Sequence, residues 1–158
     1  MNIAALDLGT STGFCANNGP AFVMGSWALS TPKEVKLWGQ TRLNRRRDPR
    51  PQRLCQKVLG LLFVPDVLIF EDCQFSSTTY QTQLWSSLRT SLWMCLGDST
   101  FFECLPVGTL KKYATGHGGA TKEMMKIAFD REGIAGDYND DAIDAYFLHK
   151  WAKAHIRL

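Results

Sequence analysis

Two runs of four apolar residues each lead into an acid: Ile3-Ala4-Ala5-Leu6 before Asp7, and Val67-Leu68-Ile69-Phe70 before Glu71-Asp72. Short uninterrupted runs of this kind read as strands buried on both faces. After Asp7, the stretch Leu8 to Gly13 turns the chain back into a second strand, Gly13 to Asn17. Asn18-Gly19 is a tight-turn pair, so Ala21 to Leu29 returns as the third strand of a meander, stopped by Ser30-Thr31-Pro32. Thr100 to Leu105, before Pro106, is the remaining strand.

Between and after the strands the apolar spacing turns helical. Leu54 to Phe63 has apolar residues at Leu54, Val58, Leu59, Leu61, Leu62 and Phe63, which suits a helix on the sheet, broken by Pro65-Asp66. Ser76 to Thr79 is a polar loop and cap for a long helix, Tyr80 to Leu96, stopped by Gly97-Asp98. Its broad stripe of Leu84, Trp85, Leu88, Leu92, Trp93 and Leu96 serves either core packing or, where exposed, a dimer interface. Val107 to Tyr113 is a short helix carrying Lys111 and Lys112. A glycine-rich basic loop, Thr115 to Lys122, follows, and Thr121 caps a helix from Lys122 to Arg131. His117 in that loop reads as a surface residue. Asn139-Asp140-Asp141 opens the last helix, which runs to about His155 with a packing side of Ala142, Ile143, Ala145, Tyr146, Leu148 and Trp151.

Lys33 to Arg53 fits neither period. Its second half holds Arg42, Arg45, Arg46, Arg47, Arg50 and Arg53 against the single acid Asp48, and Pro49 and Pro51 argue against a regular helix. It is either a solvated loop or an arm that contacts phosphates through arginine forks.

Composition sets the frame. One domain spanning residues 1–158 is the natural reading at this length, and 45% hydrophobic residues suffice for a core. The net charge of +3 is mild, so the placement of charge matters more than its sum. Five widely spaced cysteines without a Cys-x-x-Cys pair suggest reduced thiols in a cytoplasmic setting. No basic segment followed by a long apolar one opens the chain, and no apolar run is long enough to span a bilayer; neither a signal peptide nor a membrane role is expected.

The candidate chemistry lies in four acids: Asp7, Glu71, Asp141 and Asp144. Asp7 and Glu71 end buried strands, and neighbouring strands sit roughly 4.8 Å apart. Asp141 and Asp144 are three apart on a helix and share a face. An acid at a helix N-terminus is ordinary, which covers Asp140 and Asp141, and Asp7 alone could be a turn residue. Asp144 lies deeper among apolar residues and needs a partner. Four carboxylates gathered in one place call for divalent cations with a preference for oxygen, Mg²⁺ or Mn²⁺. Two such ions about 4 Å apart support phosphodiester hydrolysis. Asp140 is a second candidate for the third ligand, and Asp72 should point away from the group.

The order of these features resembles the RuvC family of Holliday-junction resolvases, particularly its smaller phage and prophage members. The resemblance covers nearly the whole chain. It is most specific at Leu110-Lys111-Lys112-Tyr113-Ala114-Thr115-Gly116-His117-Gly118-Gly119-Ala120-Thr121-Lys122-Glu123, then at Asp141-Ala142-Ile143-Asp144-Ala145. It implies a ribonuclease-H-like α/β fold, a mixed five-stranded sheet with helices on both faces. It implies a homodimer on a four-way DNA junction, cutting opposed strands with Mg²⁺ or Mn²⁺, two ions per site, and no nucleotide cofactor. Asp7, Glu71, Asp141 and Asp144 are then the metal ligands. Lys111 and Lys122 stand near the scissile phosphate, with Lys122 counted among the catalytic residues. The DNA contacts expected are Lys111, Lys112, Lys122, Arg42, Arg45, Arg46, Arg47 and Arg50. The Lys33 to Arg53 segment is longer and richer in arginine than the bacterial members lead one to expect. A phage-encoded protein would act in the cytoplasm of a bacterial host.

Three other readings compete, one of them a non-catalytic DNA-binding or scaffold protein that kept the fold, against which the acids intact at all four places argue. Asp7-Leu8-Gly9-Thr10-Ser11-Thr12-Gly13 also resembles the first phosphate-binding turn of actin-like ATPases and sugar kinases, but those need two lobes and a second Asp-x-Gly turn. A nuclease of the same fold acting on flaps, forks or RNA–DNA hybrids differs in substrate alone, because acids carry the chemistry and loops carry the selectivity.

Overall fold

The structure, a computed structural model, describes residues 1–40, 48–61, 63–72 and 79–158, with the backbone alone at 37–40. Five strands form one mixed sheet: β1 (Ile3–Asp7), β2 (Ser11–Asn17), β3 (Phe22–Ala28), β4 (Val67–Asp72) and β5 (Phe101–Pro106), in the order β3-β2-β1-β4-β5. The meander pairs β1, β2 and β3 antiparallel, while β4 and β5 run parallel to β1. The helices are α1 (Pro32–Gln40), α2 (Arg50–Leu59), α3 (Thr79–Leu96), α4 (Val107–Thr115), α5 (Lys122–Asp130) and α6 (Asp140–His155).

Side chains on a strand alternate between faces, and here both faces are covered, which is why whole runs are apolar. Ile3, Ala5, Cys15, Val67 and Ile69 face one core with residues of α4, α5 and α6. Ala4, Leu6, Ala16, Leu68 and Phe70 face the other core with Leu54 and Val58 of α2 and Leu88, Leu92 and Leu96 of α3. The helices therefore lie on both faces of a five-stranded mixed sheet, as the sequence led us to expect.

Helix α6 crosses the sheet closely because the contact is made of small residues. Ala142, Ala145 and Ala152 are buried in it. A Cβ atom on Gly13 of β2 would stand 1.8 Å from the backbone oxygen of Asp141, so only glycine fits there. A buried polar clasp joins the same elements. Nε2 of His149 lies 2.7 Å from Oδ1 of Asn17, which also accepts from the Ile3 amide at 3.1 Å. Because an amide oxygen only accepts, Nε2 carries the proton. Burial lowers the His149 pKa to about 4, so the ring is neutral at pH 7.

The arginine-rich segment departs from expectation. Pro32 to Gln40 forms α1, opened by a capping box: the Glu34 amide donates to Thr31 Oγ1 at 3.3 Å, and the Thr31 amide donates to Glu34 Oε2 at 2.8 Å. Helix α2 begins at Arg50, four residues before the predicted start, and ends at Leu59. Pro51 does not break it, because a proline in the first helical turn gives up an N–H that has no helical partner. The predicted phosphate contacts Arg42, Arg45, Arg46 and Arg47 lie outside the described residues, as does the polar stretch 76–78. Among the described residues, no helix is long and apolar enough to cross a membrane.

Candidate metal centre

Register and alternation deliver two acids to one place. β1 and β4 are parallel neighbours with Leu6 opposite Phe70, so Asp7 and Glu71 end side by side. Counting by twos, Asp7 shares a face with Ile3 and Ala5, and Glu71 shares it with Val67 and Ile69. That is the face covered by α6. Asp144, one turn into α6, projects toward both strand ends. Carboxylate oxygens of Asp7, Glu71 and Asp144 all lie within 4.8 Å of one another. Asp72 falls on the opposite face, beside Cys104. The acids occupy the carboxyl edge of the parallel strands. An open cleft lined by Met1, Asp66, Thr100 and Phe101 lies at the other edge, away from this chemistry.

The second layer fixes these groups. Indole Nε1 of Trp85 on α3 donates to the Glu71 carbonyl at 3.2 Å. Side-chain Oδ1 of Asn139 caps α6 by accepting from the Ala142 amide at 3.1 Å, and Asn139 Nδ2 donates to Ser26 Oγ on β3 at 3.1 Å. Neither Trp85 nor Ser26 carried a signal in the sequence, since both act across the fold.

Electrostatics mark the cluster as short of positive charge. Burial first, then Glu71, Asp144 and Asp141, push the Asp7 pKa well above the carboxylate range, while Lys122 pulls it down. Burial and Asp144 raise Glu71 to about 7, against a downward pull from Lys111. Burial raises Asp144 to about 6, with Asp140 and Asp141 adding to it and Lys111 and Lys122 opposing. Three mutually repelling, half-buried carboxylates form an all-oxygen donor set, and that set fits a hard divalent cation.

Asp141 stands beside this trio rather than in it. Its Oδ2 accepts from Ser11 Oγ at 2.6 Å, which draws the carboxylate toward the β1–β2 turn. Asp140 points to α5 and meets Lys122 Nζ at 2.9 Å. The glycine-rich loop brings the lysines in: Gly116, at φ 81°, closes α4, and Thr121 Oγ1 caps α5 by accepting from the Met124 amide at 3.3 Å. Lys111 is half-buried and close enough to act on Glu71 and Asp144, whereas Lys112 and His117 are exposed.

Arg50 is a correction. It was expected on DNA, but it is 1% exposed. Its guanidinium is taken up by Asp48 at 2.8 Å, by Thr10 Oγ1 at 3.1 Å and by the ring of Tyr80, 5.4 Å from the centroid. It ties the β1–β2 turn to α2 and α3. Arg53 likewise pairs with Glu34 at 2.8 Å.

No protein-family model and no curated protein matches this sequence. Solved structures do. The chain is similar to RuvC of Thermus thermophilus, at 17% identity and a TM-score of 0.62, covering 98% of this chain and 96% of that one. It is also similar to T. thermophilus RuvC in complex with a Holliday junction substrate, at 17% identity and a TM-score of 0.67, covering 94% and 90%. At that identity the likeness speaks for architecture, and it establishes that this chain has the ribonuclease-H-like fold of RuvC.

Proposed function

We propose that this protein is a metal-dependent endonuclease that cuts branched DNA, four-way junctions foremost. The observation that carries this reading is the meeting of Asp7, Glu71 and Asp144 within 4.8 Å at the end of a central parallel pair. The similarity to a RuvC bound to a Holliday junction supports the substrate class.

Asp7, Glu71 and Asp144 would hold Mg²⁺ or Mn²⁺, with Asp141 completing a second position beside them. When bound, such ions would supply the charge that makes water a nucleophile and stabilises a leaving oxygen. The chain's own residues do the rest. Rigid strand ends and the α6 backbone fix the carboxylates before substrate arrives. Lys111 and Lys122 flank the acids and offer ammonium donors to the phosphate, whose charge grows in the transition state. Lys112 would add a contact to the DNA backbone, and Arg42, Arg45, Arg46 and Arg47, which lie outside the described residues, are proposed as further phosphate contacts on their sequence alone.

A homodimer suits a four-way substrate, since two sites are needed to cut two strands. Helix α3 supports it: Arg89 is its one charged residue, and Trp93 and Met94 are 43% and 83% exposed.

Asp7→Asn should retain junction binding and lose cleavage, because it removes a ligand and leaves the basic surface. Full activity of that variant in Mg²⁺ would sink the metal assignment. Wild-type protein should be assayed on four-way, fork, flap and linear duplex DNA. Symmetric paired nicks on the junction are expected; a preference for flaps or forks would move the substrate assignment to those structures.

A further inference from the structure

Asp140 and Asp141 are neighbours of like charge at the start of one helix, yet their carboxylates part. Asp141 is drawn to Ser11 of the β1–β2 turn at 2.6 Å, and Asp140 to Lys122 of α5 at 2.9 Å. Neither carboxylate is among the three that converge on one point. Lys122 is the first residue of α5, so its backbone is held by the Thr121 cap. Its side chain is 79% exposed, however, and packing does little to aim it. A lysine head on a four-carbon stem otherwise sweeps a wide volume. In the position set by Asp140, the charge of Lys122 is still felt at Asp7 and Asp144. An ammonium has three donors, and one is spent on Asp140.

We infer that Asp140 is a positioning residue: it holds the Lys122 ammonium at the rim of the acidic cluster, donors turned to an arriving phosphate, and is not a metal ligand. The inference rests on the nuclease reading above, which makes that arriving group a phosphodiester. Asp140 then has two effects of opposite sign. Its own negative charge weakens the binding of DNA, and its grip on Lys122 speeds the step that follows.

The test compares wild type, Asp140→Asn, Lys122→Ala and the double variant on a four-way junction, with Mg²⁺ titrated. Mg²⁺ binding is also measured by calorimetry without DNA. For Asp140→Asn both KM and kcat should fall, each by about two- to fivefold, the size of an exposed ion pair. A residue that merely supported the fold would not lower KM. In the double variant, kcat should match Lys122→Ala alone, because the two side chains act as one unit. Mg²⁺ affinity should fall no more than about two- to threefold in Asp140→Asn, the loss of a nearby charge that touches no ion, and far more in Asp7→Asn. An Mg²⁺ affinity weakened as much in Asp140→Asn as in Asp7→Asn would make Asp140 a ligand and overturn the inference. So would additive kcat losses, or unchanged KM and kcat. If wild type cuts no branched DNA, the nuclease reading fails and takes this inference with it. If wild type cuts and Asp140→Asn behaves like wild type, the inference alone fails.

Discussion

At the scale of single residues, the molecule holds two sets of titrating groups that pull stability in opposite directions. Glu71 at about 7 and Asp144 at about 6 sit above the ordinary carboxylate range, chiefly through burial. Without metal, the folded chain therefore binds protons at pH 5 to 6 that the unfolded chain does not. Their contribution favours folding as pH falls from about 7 toward 4. His149, held at about 4 by burial, does the reverse. The unfolded chain takes up its proton first, near the ordinary histidine value, so folding weakens as pH falls from about 6.5 through 4. The full effect is about 3 kcal/mol. In EDTA the two trends should oppose each other in urea unfolding midpoints measured from pH 7.5 to 4. In saturating Mg²⁺ the carboxylates are held ionised at neutral pH, and the midpoint should drop on acidification. His149→Gln should remove its share of that drop. Identical pH profiles with and without Mg²⁺ would contradict the metal centre.

Elements rather than residues decide what the sequence could reveal. The acids at Asp7, Glu71 and Asp144 were legible because strand ends and helix turns place side chains by short-range rules. The partners of Asp140 and Asp141 were not, because Ser11 and Lys122 reach them from other parts of the chain. Arg50 misled for a related reason. A run of arginines suggests a solvated arm, yet Asp48 two residues earlier and Thr10 across the fold take this one inside. The missed α1 did carry a local signal, since Thr31-Pro32-Lys33-Glu34 is a capping box with proline in the first turn. The contact between β2 and α6 gives the sharpest prediction at this scale. Gly13→Ala puts a methyl into the Asp141 backbone, and α6 must retreat. A loss of about 1–3 kcal/mol is expected from such overpacking. Cleavage should fall further than stability explains, since Asp144 retreats with the helix. Thermal melts paired with cleavage rates at a temperature where the variant is folded would check this; wild-type rates there would show that the gap closes without moving the acids.

For the whole molecule, the sheet is covered on both sides, with the acids on the α6 face and helix α3, whose one charged residue is Arg89, on the other. If α3 pairs two copies, the two sites are joined through their back faces. Placing a charge at the most exposed apolar position, Met94→Glu, should then yield monomers in sedimentation experiments. The same variant should nick one strand of a junction at a time while retaining Mg²⁺ binding. A dimer that survives the substitution would move the interface elsewhere.

The division of the acids along the chain has a consequence for synthesis. Asp7 and Glu71 leave the ribosome early, but Asp144 and the helix that carries it come near the end of the described sequence. Until then the face of β1 and β2 that holds Ile3, Ala5 and Cys15 lacks the α6 part of its cover. A nascent chain thus exposes apolar surface before its acids are assembled. On the nuclease reading, cutting is withheld until translation has passed residue 144, so a fragment that stops short of α6 lacks one of the three converging acids.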